Sequence, residues 1–181
     1  MRKVNKILVP IDFSDESARA LRHGWSLAME THAELVALHA IEKTDDNFIA
    51  SVAMLEGSPL PINEFPTVPV DVVARERSLD LWNFIAQTVD VNNQIKIARK
   101  VRMGSLLKAM MATIHEEEIT LVVIKLREGG MFFSALKVLK LIKMIRRLPC
   151  PVLLDTSSNR YHSGPGKGLL WLQPVPEEAP A

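Results

Sequence analysis

The sequence contains a single cysteine, Cys150, among its 181 residues. One thiol cannot form an intramolecular disulfide and cannot supply the several thiolates of a structural zinc cluster, so both kinds of scaffold are excluded. The five histidines lack the close spacing that is typical of metal ligands. The sequence therefore predicts no metal site, and its low cysteine content favours a reducing compartment.

Long apolar runs and an excess of charge of one sign are also missing. The apolar run after the basic amino terminus, Ile7–Ile11, is stopped by Asp12 and is far shorter than the apolar core of a secretory signal. No stretch approaches the ~18 consecutive apolar residues of a membrane-spanning helix. Because 22 basic residues nearly balance 21 acidic ones, no overall field indicates a nucleic-acid partner. We expect a cytoplasmic protein that does not span a membrane.

The sequence does contain a regular alternation of strand and helix patterns. Apolar or alternating runs predict five strands, at Ile7–Ile11, Leu35–Ile41, Ile95–Val101, Leu121–Ile124 and Pro151–Leu154. Helical spacing of apolar residues predicts helices at 14–29, 72–89, 104–115 and 134–147. Crossover segments of this length favour parallel strands and right-handed connections. The predicted fold class is an α/β protein, a three-layer α/β/α sandwich around a mostly parallel, Rossmann-like sheet.

Two segments lie outside this alternation. Residues 43–69 contain four prolines, which predicts a long loop. Residues 157–181 are rich in glycine and proline, which predicts a flexible C-terminal tail after a domain of residues 1–156. The tail includes the apolar stretch Leu169–Leu172. Two interpretations of this stretch stay open: it is part of a disordered extension, or it docks on a partner or on its own domain.

Several short segments, taken in order, resemble the universal stress protein family. They are the strand and turn Ile7–Ser14 with the alanine-containing helix after it, Leu38–Ile41, Val101–Gly104 and Arg146–Leu153. The resemblance covers residues 6–154. It implies a five-stranded parallel sheet of order 3-2-1-4-5, a homodimer formed through Pro151–Leu154, and a stress-response role without a defined reaction.

The resemblance also bears on nucleotide binding. Family members that bind ATP carry the motif Gly-x2-Gly-x9-Gly-Ser/Thr after the fourth strand, where glycines let backbone amides approach the phosphates closely. The four motif positions align with Lys125, Glu128, Val138 and Leu139, and none of these is Gly, Ser or Thr. The resemblance therefore implies a degenerate ATP-binding motif, a protein that does not bind ATP, and no cofactor.

One part of the family's nucleotide site is kept. Asp12 matches the aspartate that meets the adenosine part of the ligand in nucleotide-binding relatives, and other kept residues line the same pocket. Ligands bind such sheets at the carboxyl ends of the strands, here between strands one and four. The resemblance and this rule together give a candidate crevice of six residues: Pro10, Ile11, Asp12, Ala40, Lys125 and Arg127.

The charged residues of this crevice allow alternatives. Asp12 has a second interpretation with equal support, as a carboxylate that accepts backbone amides at the start of the following helix. Lys125 or Arg127 could pair with Asp12 and close the crevice. Alternatively, the two cations could hold an anion other than ATP.

The fourth predicted helix carries a basic face. Its cations recur at spacings of three and four, at Lys137, Lys140, Lys143 and Arg147. An ordinary solvated face is one interpretation, because long basic side chains cover apolar surface with their stems. The alternatives are contact with an acidic protein partner or with an anionic membrane surface.

Two functions stay open. The preferred one is a dimeric interaction or regulatory module of the stress response. The alternative is a small-ligand sensor that binds a nucleotide, such as ATP or AMP, or another anion in the crevice. No enzyme is predicted, because Ser105 lacks a nucleophile elbow and is expected to cap a helix. A weak nucleotide hydrolase is the remote alternative, and Cys150, between two prolines in an apolar run, is expected to be an inert buried thiol.

Overall fold

The computed structural model describes residues 3–41, 70–92, 95–125, 142–155 and 169–172. Their elements are β1 (Lys6–Pro10), α1 (Asp15–Thr31), β2 (Glu34–Ile41), α2 (Val70–Thr88), β3 (Ile97–Met103), α3 (Leu106–Glu117), β4 (Leu121–Lys125), β5 (Val152–Asp155) and β6 (Leu169–Leu172). Residues 142–145 are also helical, and they belong to the helix predicted at 134–147. The predicted loop at 43–69 and the first part of that helix lie outside the described residues.

The strands form one sheet in the order β3-β2-β1-β4-β5-β6. The neighbours from β3 to β5 are all parallel, which confirms the five-stranded order 3-2-1-4-5. The sheet has one strand more than expected, because β6 pairs with β5 in the antiparallel sense. Pro151–Leu154 is therefore not a free edge. The homodimer expected through this strand stays a prediction, and the edge that it would use is occupied by the chain's own residues.

The central strands are buried because helices cover both faces of the sheet. Ile7, Leu8 and Val9 of β1 have no exposed surface, which explains why this strand reads as a continuous apolar run and not as an alternating one. On one face, Leu21 of α1 and Leu81 of α2 belong to the core that also includes Ile7 and Val9 of β1. The other face has its own core. This arrangement is the predicted three-layer sandwich.

The second core contains Leu8 from β1, Met110 from α3, and Ile145 and Leu148 from the segment before β5. Ile145 is 3% exposed and Leu148 is 1% exposed, so the end of the fourth predicted helix packs on this face. None of the described helices combines the length and the apolar character that crossing a membrane requires.

The start of α1 is fixed tightly beside the end of β1. Ser14 caps the helix, and its hydroxyl accepts a hydrogen bond from the Ser17 amide at 3.2 Å. Gly24 faces β1 at the middle of the helix, where an added Cβ would lie 2.7 Å from Cγ2 of Val9. The missing side chain lets α1 approach the sheet closely. As a result, the turn that joins β1 to α1 sits directly over the carboxyl end of β1.

The other edge of the sheet is β3, a position that its charged residues predict. Lys100 Nζ lies 2.5 Å from Glu117 Oε1, and Arg102 pairs with Glu116. The Nε of Arg102 also donates to the buried hydroxyl of Thr113 at 2.9 Å. Cations of β3 therefore pair with Glu116 and Glu117 at the end of α3, where Glu116 remains exposed.

Candidate functional site

A cavity of about 350 Å³ opens at the carboxyl ends of β1 and β4. β1 and β4 are neighbours in the sheet, but the chain runs from β1 to β2 and β3 on one side of β1 and places β4 on the opposite side. The direction in which successive strands are added to the sheet therefore reverses between β1 and β4. Such a switch point leaves a crevice outside the strand ends, since the connections on either side turn away from each other. The walls come from the β1–α1 turn, the end of β2, α2, the start of α3 and the end of β4.

Most of the predicted crevice residues line this cavity. The structure brings together Pro10, Ile11, Asp12, Ala40 and Lys125. The remaining one, Arg127, lies outside the described residues, so closure of the crevice by this side chain stays a prediction. The motif positions Glu128, Val138 and Leu139 also lie outside them.

The basic helix face is not part of the cavity lining in the described residues. Lys143 and Arg147 are both exposed, whereas Lys137 and Lys140 lie outside the described residues. The cavity's cations therefore come from other elements. The solvated-face interpretation and the two partner interpretations of this helix all stay open as predictions.

Asp12 is held by the first turn of the following helix. Its Oδ1 accepts a hydrogen bond from the Ser14 amide at 3.1 Å and another from the Ser14 hydroxyl at 2.5 Å. Burial raises the pKa of this carboxyl, but the hydrogen bonds from Ser14 stabilise the carboxylate more, so the pKa lies below its ordinary value. Asp12 thus carries out the helix-start role and lines the cavity at the same time.

An aromatic cluster supports the wall beside Asp12. Phe13 adopts a left-handed backbone conformation, with φ of 63°, which bulky residues rarely adopt. Its ring lies 4.6 Å from the His39 ring and 5.5 Å from the Phe84 ring, measured between centroids. The left-handed turn places this ring against β2 and α2. The cluster therefore ties the β1–α1 turn to two other walls of the cavity.

His39, near the end of β2, has a defined hydrogen bond. Its Nδ1 lies 2.9 Å from the Ile11 carbonyl oxygen. Since a carbonyl can only accept, this nitrogen must carry a proton. In the neutral ring, Nε2 is then an acceptor, and His39 belongs to the cavity lining. His39 therefore links the end of β2 to the Ile11 carbonyl at the wall of the cavity.

Arg77 is a cavity residue that the sequence did not indicate. It comes from α2, and its side chain is 19% exposed. Its Nη1 contacts Oδ2 of Asp80 at 3.1 Å, which holds the guanidinium against its own helix. Only the packing of α2 over the β1–α1 turn brings this residue to the cavity. No local pattern in the sequence could have identified it.

The cavity lining contains charges of both signs. Asp12 and Glu16 face it together with Arg77 and Lys125. In the part of the chain that the structure describes, no group of three or more histidine, cysteine, aspartate or glutamate side chains is placed to hold a metal ion. A lining of this kind suits a small polar molecule that carries both hydrogen-bonding groups and a negative charge.

Ser105 and Cys150, the two residues that were considered as nucleophiles, have structural roles. Ser105 is the residue before α3 and stands at its N-cap, without a side-chain capping hydrogen bond. Cys150 is buried, and burial raises the pKa of its thiol to about 11. A thiol with such a pKa is almost entirely protonated at neutral pH, so it is a poor nucleophile.

Several solved structures share this fold at low sequence identity. Hypothetical protein MJ0577 shares 21% sequence identity with this chain, and the alignment covers 87% of this chain and 99% of MJ0577, with a TM-score of 0.59. A universal stress protein in complex with cAMP is 17% identical, covering 84% and 97%, with a TM-score of 0.53. Universal stress protein UspA from Lactobacillus plantarum is 17% identical, covering 85% and 99%, with a TM-score of 0.52.

The sequence itself gives a more direct assignment. No curated protein matches the chain significantly. A sequence model of the universal stress protein family, in contrast, matches residues 3–155. This range includes every strand from β1 to β5 and all the described cavity residues. The chain therefore belongs to the universal stress protein family.

Proposed function

We propose that this protein is a non-enzymatic, ligand-responsive module of the stress response. Its ligand is a small anion of nucleoside monophosphate size, and it binds in the cavity between β1 and β4. It does not hold ATP through a glycine-rich phosphate loop. Binding changes the stability and surface of the module, and no reaction follows.

The observation that carries the proposal is the open cavity at the switch point. Its volume of about 350 Å³ lies near the lower limit of the ~300–1,000 Å³ that is usual for small-molecule sites. A ligand of monophosphate size is therefore favoured over a triphosphate. One similar structure contains cAMP, which is a ligand of this size class.

The groups at the cavity provide for both parts of such a ligand. Asp12 is ordered by Ser14 and stays ionised at neutral pH, so it can accept hydrogen bonds from sugar hydroxyls. Arg77 carries five N–H donors, so its guanidinium can bind a phosphate group in addition to its contact with Asp80. Lys125 adds a second positive charge from β4. These cations take the place of the backbone amides that a glycine-rich loop would supply.

The degenerate motif argues against the triphosphate mode. None of the four residues that align with the motif is Gly, Ser or Thr. A Cβ at a glycine position keeps the backbone away from phosphate. The preferred sequence prediction, an interaction module that binds no nucleotide at all, is the competing outcome of the experiment below.

Ligand binding can be tested by thermal unfolding and calorimetry with adenosine, AMP, cAMP and ATP. Because these ligands would bind only the native state, a concentration 100-fold above Kd adds about 2.7 kcal/mol to the free energy of unfolding. We expect AMP or cAMP to raise the unfolding temperature saturably, and ATP to bind no more tightly than AMP. If none of the four has an effect, the module acts without a nucleotide ligand.

The role of Arg77 has a matched control on the same helix. Arg77→Ala is expected to weaken AMP binding about tenfold, the loss of ~1.4 kcal/mol, and to leave adenosine binding unchanged. Arg75→Ala removes an exposed arginine of α2 that is not among the cavity residues, and it should change neither. Equal weakening of adenosine and AMP by Arg77→Ala would show that Arg77 supports the wall and does not bind the phosphate.

A further inference from the structure

The last strand of the sheet comes from the tail and not from the domain that the family match covers. β6 begins at Leu169, whereas the match ends at residue 155. Its pairing with β5 is antiparallel over four register pairs, from Val152 opposite Leu172 to Asp155 opposite Leu169. β6 thus covers the whole length of β5, which is Val152–Asp155.

The two ends of the sheet are protected in different ways. At one end, β3 carries Arg99, Lys100 and Arg102 along its length, and charged side chains discourage the pairing of an edge strand with another chain. At the other end, β5 contains Val152, Leu153 and Leu154, with one acid at its last position. An uncovered strand of this composition would attract another strand. At this end, β6 protects β5 from pairing with another chain, as the charged side chains do for β3 at the opposite end.

If β6 left the outer side of β5, the strand that could best replace it there is β5 of a second copy of the protein. Each is a four-residue, mostly aliphatic strand. The pairing with β6 demonstrates that the outer side of β5 accepts an antiparallel strand. Two β5 strands that pair in this sense are related by a twofold axis, which is the symmetry of the commonest homo-oligomers. The same edge can therefore hold either the chain's own β6 or β5 of a partner, but not both.

We propose that β6 acts as a built-in edge strand that keeps the protein monomeric, and that its release allows two copies to pair through β5. Thirteen residues connect the two strands, from residue 156 to residue 168. A hairpin needs only about 2–5 residues, so this connection is long enough for β6 to leave without strain on β5. The contact is an autoinhibitory one, and it is independent of the cavity ligand.

The competition favours the chain's own strand at ordinary protein concentrations. A segment tethered by a short linker has an effective concentration in the millimolar range. A second copy at micromolar concentration is thus at a disadvantage of about a thousandfold. A partner or a modification that holds the tail elsewhere would remove this advantage and produce the dimer.

The test compares the full chain with a variant that cannot form β6. The double substitution Leu170→Pro and Trp171→Pro removes two adjacent amide donors, and one of them must face β5 because successive amides point to opposite sides of a strand. Light scattering coupled to gel filtration should give the mass of one chain for the full protein and the mass of two chains for the variant. The matched control places the same two prolines at Glu177 and Glu178, after β6, and should remain monomeric.

Two results would overturn the proposal: a full chain that is already dimeric, or a double-proline variant that folds and stays monomeric. If circular dichroism shows that this variant is unfolded, a disulfide gives the answer. Leu154 and Leu170 are opposite each other in the register, so Leu154→Cys with Leu170→Cys should oxidise within one chain and run as a monomer on a non-reducing gel. A covalent dimer would mean that β6 is exchanged between copies and does not close its own edge.

Discussion

The hydroxyl and the amide of Ser14 both donate to one oxygen of Asp12, Oδ1, at 2.5 and 3.1 Å. The same hydroxyl accepts a hydrogen bond from the Ser17 amide. One serine therefore starts α1 and fixes a carboxylate at the wall of the cavity. The two interpretations of Asp12 that the sequence left open, helix start and ligand site, are compatible in this geometry.

We predict that Ser14→Ala destabilises the protein and alters Asp12. Loss of an N-cap hydroxyl costs about 1–2 kcal/mol of the free energy of unfolding. The pKa of Asp12 should rise, because burial remains and the strongest hydrogen bond to its carboxylate is lost. Urea unfolding measures the first effect and an NMR titration of the carboxyl carbon the second. The control is Ser26→Ala at an exposed position of the same helix, and equal stability of the two variants would contradict the prediction.

Gly24→Ala is expected to push α1 away from β1. An alanine favours a helix by about 1 kcal/mol over glycine, but its Cβ would lie 2.7 Å from Cγ2 of Val9. Overpacking of this kind costs about 1–3 kcal/mol, and the β-branched Val9 has little freedom to move. The net result should be a lower unfolding temperature. The double variant with Val9→Ala removes the clash and should show favourable coupling between the two substitutions; purely additive effects would mean that the helix shifts freely.

The ion pairs of Glu117 should make stability depend on pH. The hydrogen bond from Lys100 is the main reason that the pKa of Glu117 lies below its ordinary value of 4.5. A carboxyl with a lowered folded-state pKa stabilises the native state above its unfolded-state pKa, and this contribution is lost as the pH falls through the folded-state value.

Glu117→Gln should therefore lower the free energy of unfolding by about 1 kcal/mol at pH 7. The difference from the natural chain should shrink as the pH falls below 4.5, because protonation of Glu117 removes the charge that the variant already lacks. Chemical unfolding at a series of pH values checks this. Glu118→Gln changes the next residue, which is exposed, and it should leave the free energy of unfolding almost unchanged. An equal loss of stability in this control would mean that the effect comes from the net charge of the protein and not from the ion pairs of Glu117.

Cys150 should react slowly in the folded protein. With a pKa of about 11, only about one thiol in a thousand is ionised at pH 8, and the thiolate is the reactive form. We expect alkylation by iodoacetamide to be far slower in the native protein than in urea. Because Cys150 is the only cysteine, mass spectrometry can follow the reaction without a cysteine-free control. Equal rates in both conditions would mean that the thiol is exposed in solution.

The sequence predicted the parts of the fold and site that depend on local pattern. β1 and β4 are buried on both faces and read as continuous apolar runs, and Pro10, Ile11 and Asp12 stand at the end of the first of these runs. The strand order and the pocket residues, in contrast, were expected from the resemblance to the universal stress protein family, together with the rule that ligands bind at the carboxyl ends of such strands.

The features that were missed depend on contacts between distant segments. Arg77 reaches the cavity only because α2 packs over the β1–α1 turn, and nothing around residue 77 in the sequence encodes that packing. Glu116 and Glu117 find cations on β3, which is a neighbour only in three dimensions. β6 is four apolar residues between glycine-rich and proline-rich stretches, and composition alone could not assign it to a particular edge.

The cations of β3 also limit how far any assembly through the sheet could grow. A sheet that is open to pairing at both ends would add one copy after another and form a filament. Here only the β5 end is suited to pairing, because Arg99, Lys100 and Arg102 line the β3 end. Once two copies had joined at β5, both outward ends would carry these cations. Assembly would therefore stop at two copies, because the charges of β3 prevent a third copy from pairing at either end.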